Sequence, residues 1–341
     1  MDDDNKKEVT ADAGKASGFK KSSAYEAIMD KRGILVALVA LIFVMSLLSE
    51  RFFTTKNVLT ILRSISINAM LCFGMTNVIL TNGIDLSVGS VYSLGGTLCC
   101  VLITYKSWKI LPAMLAGTGV GALCGLGNGL LVSTQNLAPF IVTLAMNYMA
   151  RGISYIITAG MPVPVYMEEF FEIGNGQLRV GGLNIPYLIV YMLVVFAIMW
   201  VLLNKTRFGR RIYAVGGNET AANFSGISLV FIKTMVYVIL GLLAGLCGIF
   251  TNARLYSGQP TIGEGAELDA IAAVILGGTS FSGGIGTLTG SLIGAGIIGI
   301  LSNGLNLLGV NSFWQHVAKG IVILLAVYID MLKNKFKLRS A

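Results

Sequence analysis

Apolar runs of about 16 to 24 residues recur along nearly the whole of this 341-residue chain. Wound as a helix, a run of that length crosses the roughly 30 Å apolar interior of a bilayer. Backbone in lipid must satisfy its own hydrogen bonds, which a helix does. The expected fold class is therefore an all-α polytopic membrane protein. Composition agrees, with 55% hydrophobic and only 12% charged residues and a mean hydropathy of +0.76; a soluble domain carries about 25% charged residues. The runs predict about ten transmembrane helices, at 33–50, 57–80, 86–105, 110–133, 138–159, 185–203, 229–250, 267–282, 287–307 and 314–332. No polar stretch between them is long enough for an ATPase or another soluble domain. Residues 1–32 are polar and mixed in charge, as expected of a disordered tail. The first run is followed by Ser49-Glu50-Arg51 with no small-residue cleavage site, so it reads as a span and not as a cleavable signal.

The net charge of +8 sits mostly just outside apolar runs, where it orients the chain against membrane lipids and does not point to nucleic acid. An even number of spans puts both termini on one side. Lys6, Lys7, Lys15, Lys20, Lys21, Lys31 and Arg32 then share that side with Lys205, Arg207, Arg210 and Arg211, and with Lys333, Lys335, Lys337 and Arg339 of the short tail 333–341. Positive-inside logic makes it cytoplasmic. The largest loop on the other side, about 160–184, carries Glu168, Glu169 and Glu172 against Arg179.

Two short patterns occur twice. Asp85-Leu86, seven residues, then Leu94-Gly95-Gly96-Thr97 is matched by Glu267-Leu268 and Leu276-Gly277-Gly278-Thr279. Gly119, Gly121 and Asn128-Gly129-Leu130 are matched by Gly294, Gly296 and Asn303-Gly304-Leu305. The order is the same in both halves, which suggests related repeats at 33–159 and 185–332 within a permease domain spanning 33–332. Five spans per half would invert the second repeat relative to the first. Chance remains the alternative, because the chain holds 42 glycines.

Gly117, Gly121, Gly125 and Gly129 fall on one helix face, as do Gly290 and Gly294; small residues so spaced let helix backbones approach closely. All five cysteines lie in apolar runs without zinc-ligand spacing, as free thiols acting as small apolar side chains would. Asn68, Asn77, Asn128, Asn147, Asn303 and Asn306 lie in spans. An amide both donates and accepts, which suits a passage for a neutral polar solute, and equally suits bonding between helices. Asn68, Asn77, Asp85, Ser87, Asp269, Asn303 and Asn306 are the candidate passage residues. Asp85 can instead cap a broken helix, and Glu267 and Asp269 the start of a span. Arg63, Arg151 and Lys319 lie within or near the outer half of their spans; two of them can snorkel to the interface, and Arg151 is the deepest. No metal cluster, Walker-type phosphate loop or Ser/His/Asp arrangement is visible, and His316 stands alone. The Asp85/Asp269 pair sits in no aspartyl-protease motif. A transport subunit is expected, not an enzyme.

Between the sixth and seventh runs, 204–228 reads as a cytoplasmic loop carrying a short helix. Asn218 can cap it, Glu219 suits its positive end, Ala221 and Ala222 favour helix and Gly226 can end it. Phe224 and Ile227 are read as apolar anchors, and Ala221 with Ala222 as a small surface that fits a groove. An ordinary loop helix and a docking element for a cytoplasmic partner remain equal readings of these residues.

Gly217-Asn218-Glu219-x-Ala221-Ala222-x-x-Ser225-Gly226-Ile227 resembles the coupling segment of the ribose-type sugar permeases of ABC importers. So do 74–90, Gln259-Pro260-Thr261, the stretch Glu267 to Ser280, and 303–310. The resemblance covers about 35–332. It implies a permease in the cell inner membrane that moves a monosaccharide such as ribose. Its implied partners are a second copy of itself, a cytoplasmic ATP-binding subunit and an extracytoplasmic sugar-binding protein. ATP and magnesium would belong to the ATPase, with no cofactor on this chain, and Gly217, Asn218, Glu219, Ala221, Ala222 and Gly226 would couple to it. An ion-coupled secondary carrier is the competing class; it should hold protonatable groups at midplane, of which this chain has few, and it would leave the coupling-type loop unexplained.

Overall fold

The computed structural model describes residues 33–322, 324, 325 and 328. The tails expected at 1–32 and 333–341 lie outside that range, as does the end of the last expected span. The helices are α1 (Gly33–Leu48), α2 (Thr55–Leu80), α3 (Val88–Lys106), α4 (Ile110–Thr134), α5 (Pro139–Thr158), α6 (Glu168–Asn175), α7 (Tyr187–Lys205), α8 (Arg207–Gly217), α9 (Glu219–Phe224), α10 (Leu229–Leu255), α11 (Ala266–Leu276), α12 (Leu288–Leu307) and α13 (312–322). Seven of them, α2, α3, α4, α5, α7, α10 and α12, are long and apolar enough to cross a bilayer. The chain is an all-α polytopic membrane protein.

Local chemistry fixes several helix starts. Pro139 opens α5, where its fixed φ suits the first turn and its missing N–H costs nothing. Thr287 accepts from the Gly290 N–H at 3.1 Å to cap α12. The span expected at 267–282 needs correction. Its helix, α11, has 11 residues and stops at Leu276. Gly278 then takes φ +83°, a left-handed conformation that a continuing helix cannot hold. Ahead of α11, 259–265 is irregular, with turns from 260 to 265.

Two helices organise the core. α10 packs along α3 and α4, and α2 packs along α11, α12 and α7. α2 is buried all round from Ala69 to Leu80, and Phe73, Met75 and Ile79 meet Tyr237 and Leu240 of α10 in one core cluster. Helices in lipid gain nothing from hiding apolar surface from each other, so close packing must hold them. Glycine provides it. A Cβ on Gly121 would collide with the Gly241 carbonyl oxygen, one on Gly125 with that of Tyr237, one on Gly117 with that of Gly95, and one on Gly129 would come 2.6 Å from Thr234 Cα. On the other side of the core, Gly290 meets the Gly277 carbonyl and Gly294 that of Ala273 just as tightly. Polar pairs add to this seam. Asn57 and Asn303 exchange hydrogen bonds of 3.1 and 2.9 Å, and Thr76 and Ser291 share one of 2.7 Å, both between α2 and α12.

At one end of the bundle, α6 docks on α10 through Gly174 and Arg254, and Asn175 donates to the Arg254 carbonyl at 3.1 Å. Two small antiparallel pairs, β1 (Val163–Pro164) with β4 (Ser257–Gly258) and β2 (Gln177–Val180) with β3 (Leu183–Pro186), complete this cap. At the opposite end lie α8 and α9.

Candidate functional site

α8 follows α7 directly. Thr206 caps it, accepting from the Gly209 N–H at 3.2 Å. Ile212, Val215 and Gly216 face inward, and Lys205, Arg207, Arg210 and Arg211 are exposed. The fit against the bundle is tight: a Cβ on Gly216 would collide with the Leu80 carbonyl oxygen at the end of α2. Asn82 donates to the Gly216 carbonyl at 3.2 Å, and the Gly284 N–H to that of Leu80 at 3.0 Å. The Tyr213 hydroxyl donates to the Gly286 carbonyl at 2.9 Å. Burial pushes this phenol above its usual range, so it stays a neutral donor. The end of α8 is thereby bonded to the turn that follows α2 and to the turn that connects α11 with α12.

α9 is capped as its residues suggest. Asn218 Oδ1 accepts from the Ala221 N–H at 2.9 Å, and Gly226 follows the helix at φ +77°. Three details differ from the expectation. Ala222 is buried, so only Ala221 of the alanine pair faces outward. Glu219 is already engaged within the chain, 2.6 Å from Lys233 of α10. Phe224, expected to anchor the helix, is 87% exposed at its tip. The reason is helical phase: Ala222 occupies the inward face of this short helix, which turns Phe224 away from it.

Beyond Asn82 the chain turns back into the bundle. Asp85 is buried and takes the Ser87 N–H at 2.8 Å and the Ser87 hydroxyl at 2.6 Å, while Asn128 of α4 donates to Ser87 Oγ at 2.9 Å. A carboxylate at the start of α3 complements the positive end of that helix. The Tyr237 hydroxyl holds the Ile84 carbonyl at 3.3 Å, and Asn147 of α5 holds that of Leu86 at 2.7 Å.

One turn further along α5, Arg151 Nη1 donates to the carbonyls of Pro260 at 2.7 Å and Ile262 at 2.8 Å. Ser93 also donates to Pro260, at 2.8 Å. These bonds satisfy the carbonyls of Pro260 and Ile262 in the irregular segment 259–265 where it lies against α3 and α5. Between that segment and α5 opens a cleft of about 280 Å³, lined by Asn147, Tyr148, Arg151, Tyr155, Glu264 and Glu267. Here polar and charged groups of two elements converge on open space. Non-helical backbone at bundle depth is tolerated in a membrane only where it is wrapped in protein or borders water, and here protein carbonyl partners and an open cleft flank it.

The candidate passage residues fall elsewhere. Asp85 and Ser87 bond each other. Asn77 is fully buried and donates to the Phe73 carbonyl in its own helix at 3.2 Å. Asp269 pairs with Lys319 of α13 at 2.7 Å. Asn303 pairs with Asn57, and Asn306 accepts from Gln315 at 2.8 Å. Asn68 is half-buried in α2. Glu267, read as a helix cap, stands in the first turn of α11 and also lines the cleft. Arg151 and Asn147 were visible only as polar residues within a span; their carbonyl partners lie 109 and 61 residues away. Among the described residues no cluster of His, Cys, Asp and Glu could hold a metal ion, and all five cysteines are free.

Residues 57–327 match the family model described as the branched-chain amino acid transport system / permease component. Among curated proteins, the ribose import permease protein RbsC of Bacillus subtilis is 47% identical over 317 residues, covering 92% of this chain and 97% of that one. RbsC of Escherichia coli K12 is also 47% identical, over 88% of this chain and 93% of its own. The D-allose transport system permease protein AlsC of Escherichia coli K12 is 38% identical over 93% and 96%. No solved structure gives a significant match.

Proposed function

This chain belongs to the family of transport-system permease components, and from that membership we propose that it is the membrane subunit of an ABC importer for ribose or a closely related monosaccharide. It is a transport component and not an enzyme. The observation that carries the sugar assignment is the 47% identity to ribose import permeases over nearly the whole chain. The family description names branched-chain amino acids, but the relatives given above carry sugars in their names.

In this reading the ATP-binding partner, which holds ATP and magnesium, docks on α8 and α9. The exposed, doubly capped α9 supports it, as do the bonds from α8 to the turn after α2 and to the α11–α12 turn: a push on this rigid element reaches the core without being absorbed in a loose loop. Gly217, Asn218, Glu219 and Gly226 shape the element, and Ala221 and Phe224 face the partner. The exposed basic residues Lys205, Arg207, Arg210 and Arg211 support reading that face as cytoplasmic, with the α6 cap outside, toward a sugar-binding protein, and the chain in the inner membrane. A second copy of the chain would complete the transporter. The apolar flanks of α4, α5 and α7 support this, since only 22% of the residues in their apolar centres are buried; lipid and a partner copy are the surfaces available to them.

Two related halves are supported by the parallel use of α10 against α3 and α4, and of α2 against α11 and α12. The sugar's route is read along the α5 cleft because polar side chains line open space there, whereas Asp85, Ser87, Asp269 and Asn303 are bonded within the chain. The test is ATP-driven uptake of labelled D-ribose into liposomes holding this chain with its ATPase and binding protein. Uptake that needs ATP and stops without the binding protein is expected. Uptake by this chain alone, driven by a proton or sodium gradient, would overturn the assignment in favour of a secondary carrier.

A further inference from the structure

The cleft beside α5 has a chemistry more specific than a wet passage needs. Its volume of about 280 Å³ is the space of roughly nine liquid waters, enough for one small solute and too little for a peptide. Its donors are partly committed. Asn147 gives an amide hydrogen to Leu86, and Arg151 Nη1 gives its hydrogens to Pro260 and Ile262. Its two carboxylates only accept hydrogen bonds when ionised. Glu264 is exposed to the cleft, and Glu267 is half-buried at the first turn of α11, with one oxygen packed against Gly89 so closely that a Cβ there would collide with it. The Arg151 charge offsets one carboxylate, which keeps the cleft from being a strongly anionic trap. On the α5 wall, Tyr148 and Tyr155 are seven residues apart and so share a helix face with Arg151 between them. Tyr148 is 76% exposed, its ring free to cover an apolar surface. Acceptors on one wall and an aromatic face on the other match a molecule with adjacent hydroxyl donors on one side and C–H groups on the other.

We propose that this cleft is a polyol-binding subsite in the permease itself, in which Glu264 and Glu267 accept adjacent sugar hydroxyls while Tyr148 covers the C–H face. The proposal rests on the sugar-transport reading but assigns to this chain a share of the selectivity that a merely permissive passage would leave to the binding protein. Asn147 and Arg151 are positioning residues: they fix the two irregular segments, 82–87 and 259–265, against α5, and so set the width of the cleft.

Binding of D-ribose to the purified chain in lipid nanodiscs, measured by saturation-transfer NMR, is compared with binding to Glu264→Gln and Glu267→Gln. Each glutamine replaces a carboxyl group by an amide of the same shape, and binding should weaken about tenfold. Glu264 is exposed, so Glu264→Gln leaves the fold intact even if Glu267→Gln does not. 2-Deoxy-D-ribose, lacking one hydroxyl, should bind the parent more weakly than D-ribose and lose less on substitution. Equal D-ribose binding by the parent and Glu264→Gln would overturn the subsite. So would binding of sodium, rather than sugar, that depends on both carboxylates. Uptake in the assembled transporter separates the two readings. Normal ATP-driven uptake with no carboxylate-dependent binding removes the subsite and keeps the importer. Carboxylate-dependent binding of D-ribose without ATP-driven uptake keeps the subsite and removes the importer.

Discussion

Phe224 shows how one side chain can reverse a local reading. Its place next to a glycine stop and an apolar Ile227 suggests an anchor pressed against the protein. The helix phase puts Ala222 inward and leaves Phe224 87% exposed. A large ring standing free on a basic, cytoplasmic-type surface is a poor fit for water and a good fit for a partner's pocket, where aromatic anchors commonly dominate binding. Phe224→Ala should therefore insert and fold as the parent does while docking of the ATPase weakens about tenfold or more, read as lost co-purification and lost sugar-stimulated hydrolysis. Parental stimulation in Phe224→Ala would remove this residue from the interface. Ala222→Arg is a different experiment. It would force a charge into a buried position and lower the yield of the chain itself.

At the scale of the element, the glycine seam between α4 and α10 is the most exposed to substitution. Gly119 and Gly121 are two residues apart, yet nothing lies within 4 Å of a Cβ built on Gly119, while one on Gly121 would strike the Gly241 carbonyl. Gly121→Leu should prevent close docking of α4 and sharply reduce folded yield in detergent; Gly119→Leu should be tolerated. Overpacking against a movable side chain costs about 1–3 kcal/mol, and here the obstacle is backbone, which cannot swing aside. Equal thermal stability of the two variants would show that α4 is not held by this contact. The same contacts bear on the duplicated glycine pattern. In the first copy the tight member is Gly121, the second glycine; in the second copy it is Gly294, the first, while Gly296 meets only a Leu38 methyl at 3.6 Å. Related halves, if that is their origin, have shifted their contacts by half a helical turn.

Over the whole molecule, much was legible because it follows from short-range rules. Bilayer length marks the long helices. Asn218 and Gly226 bracket α9 because an N-cap acceptor and a left-handed stop act within one turn. The span expected at 267–282 failed because apolar character alone does not distinguish a full helix from a short one next to irregular backbone, and what decides the matter, Gly278 in a left-handed conformation and Arg151 across the bundle, is conformational or distant. The cleft was illegible for the same reason: its walls come from segments more than a hundred residues apart. The cysteine-poor surface allows the topology to be tested directly. Cys72, Cys99, Cys100 and Cys247 are buried and Cys124 is half-buried within α4, so with Cys124 replaced by serine, a cysteine at Tyr166, 90% exposed beside α6, should label from outside intact cells, and one at Phe224 only after permeabilisation. The reverse pattern would invert the chain in the membrane.

The short α11 bears on how the chain is made. A stretch of 11 helical residues is about 17 Å long at 1.5 Å per residue, little more than half of the apolar thickness, and the irregular backbone at 259–265 carries carbonyls that lipid cannot satisfy. Emerging from the ribosome, this segment has no stable place in the bilayer by itself. Ser93 and Arg151, which hold its carbonyls, have been synthesised long before, while Gly290 and Gly294, which seat its far end, arrive after it. Biogenesis must therefore keep this segment sheltered until α12 closes behind it, so the irregular wall of the cleft is also the last part of the core that can be assembled.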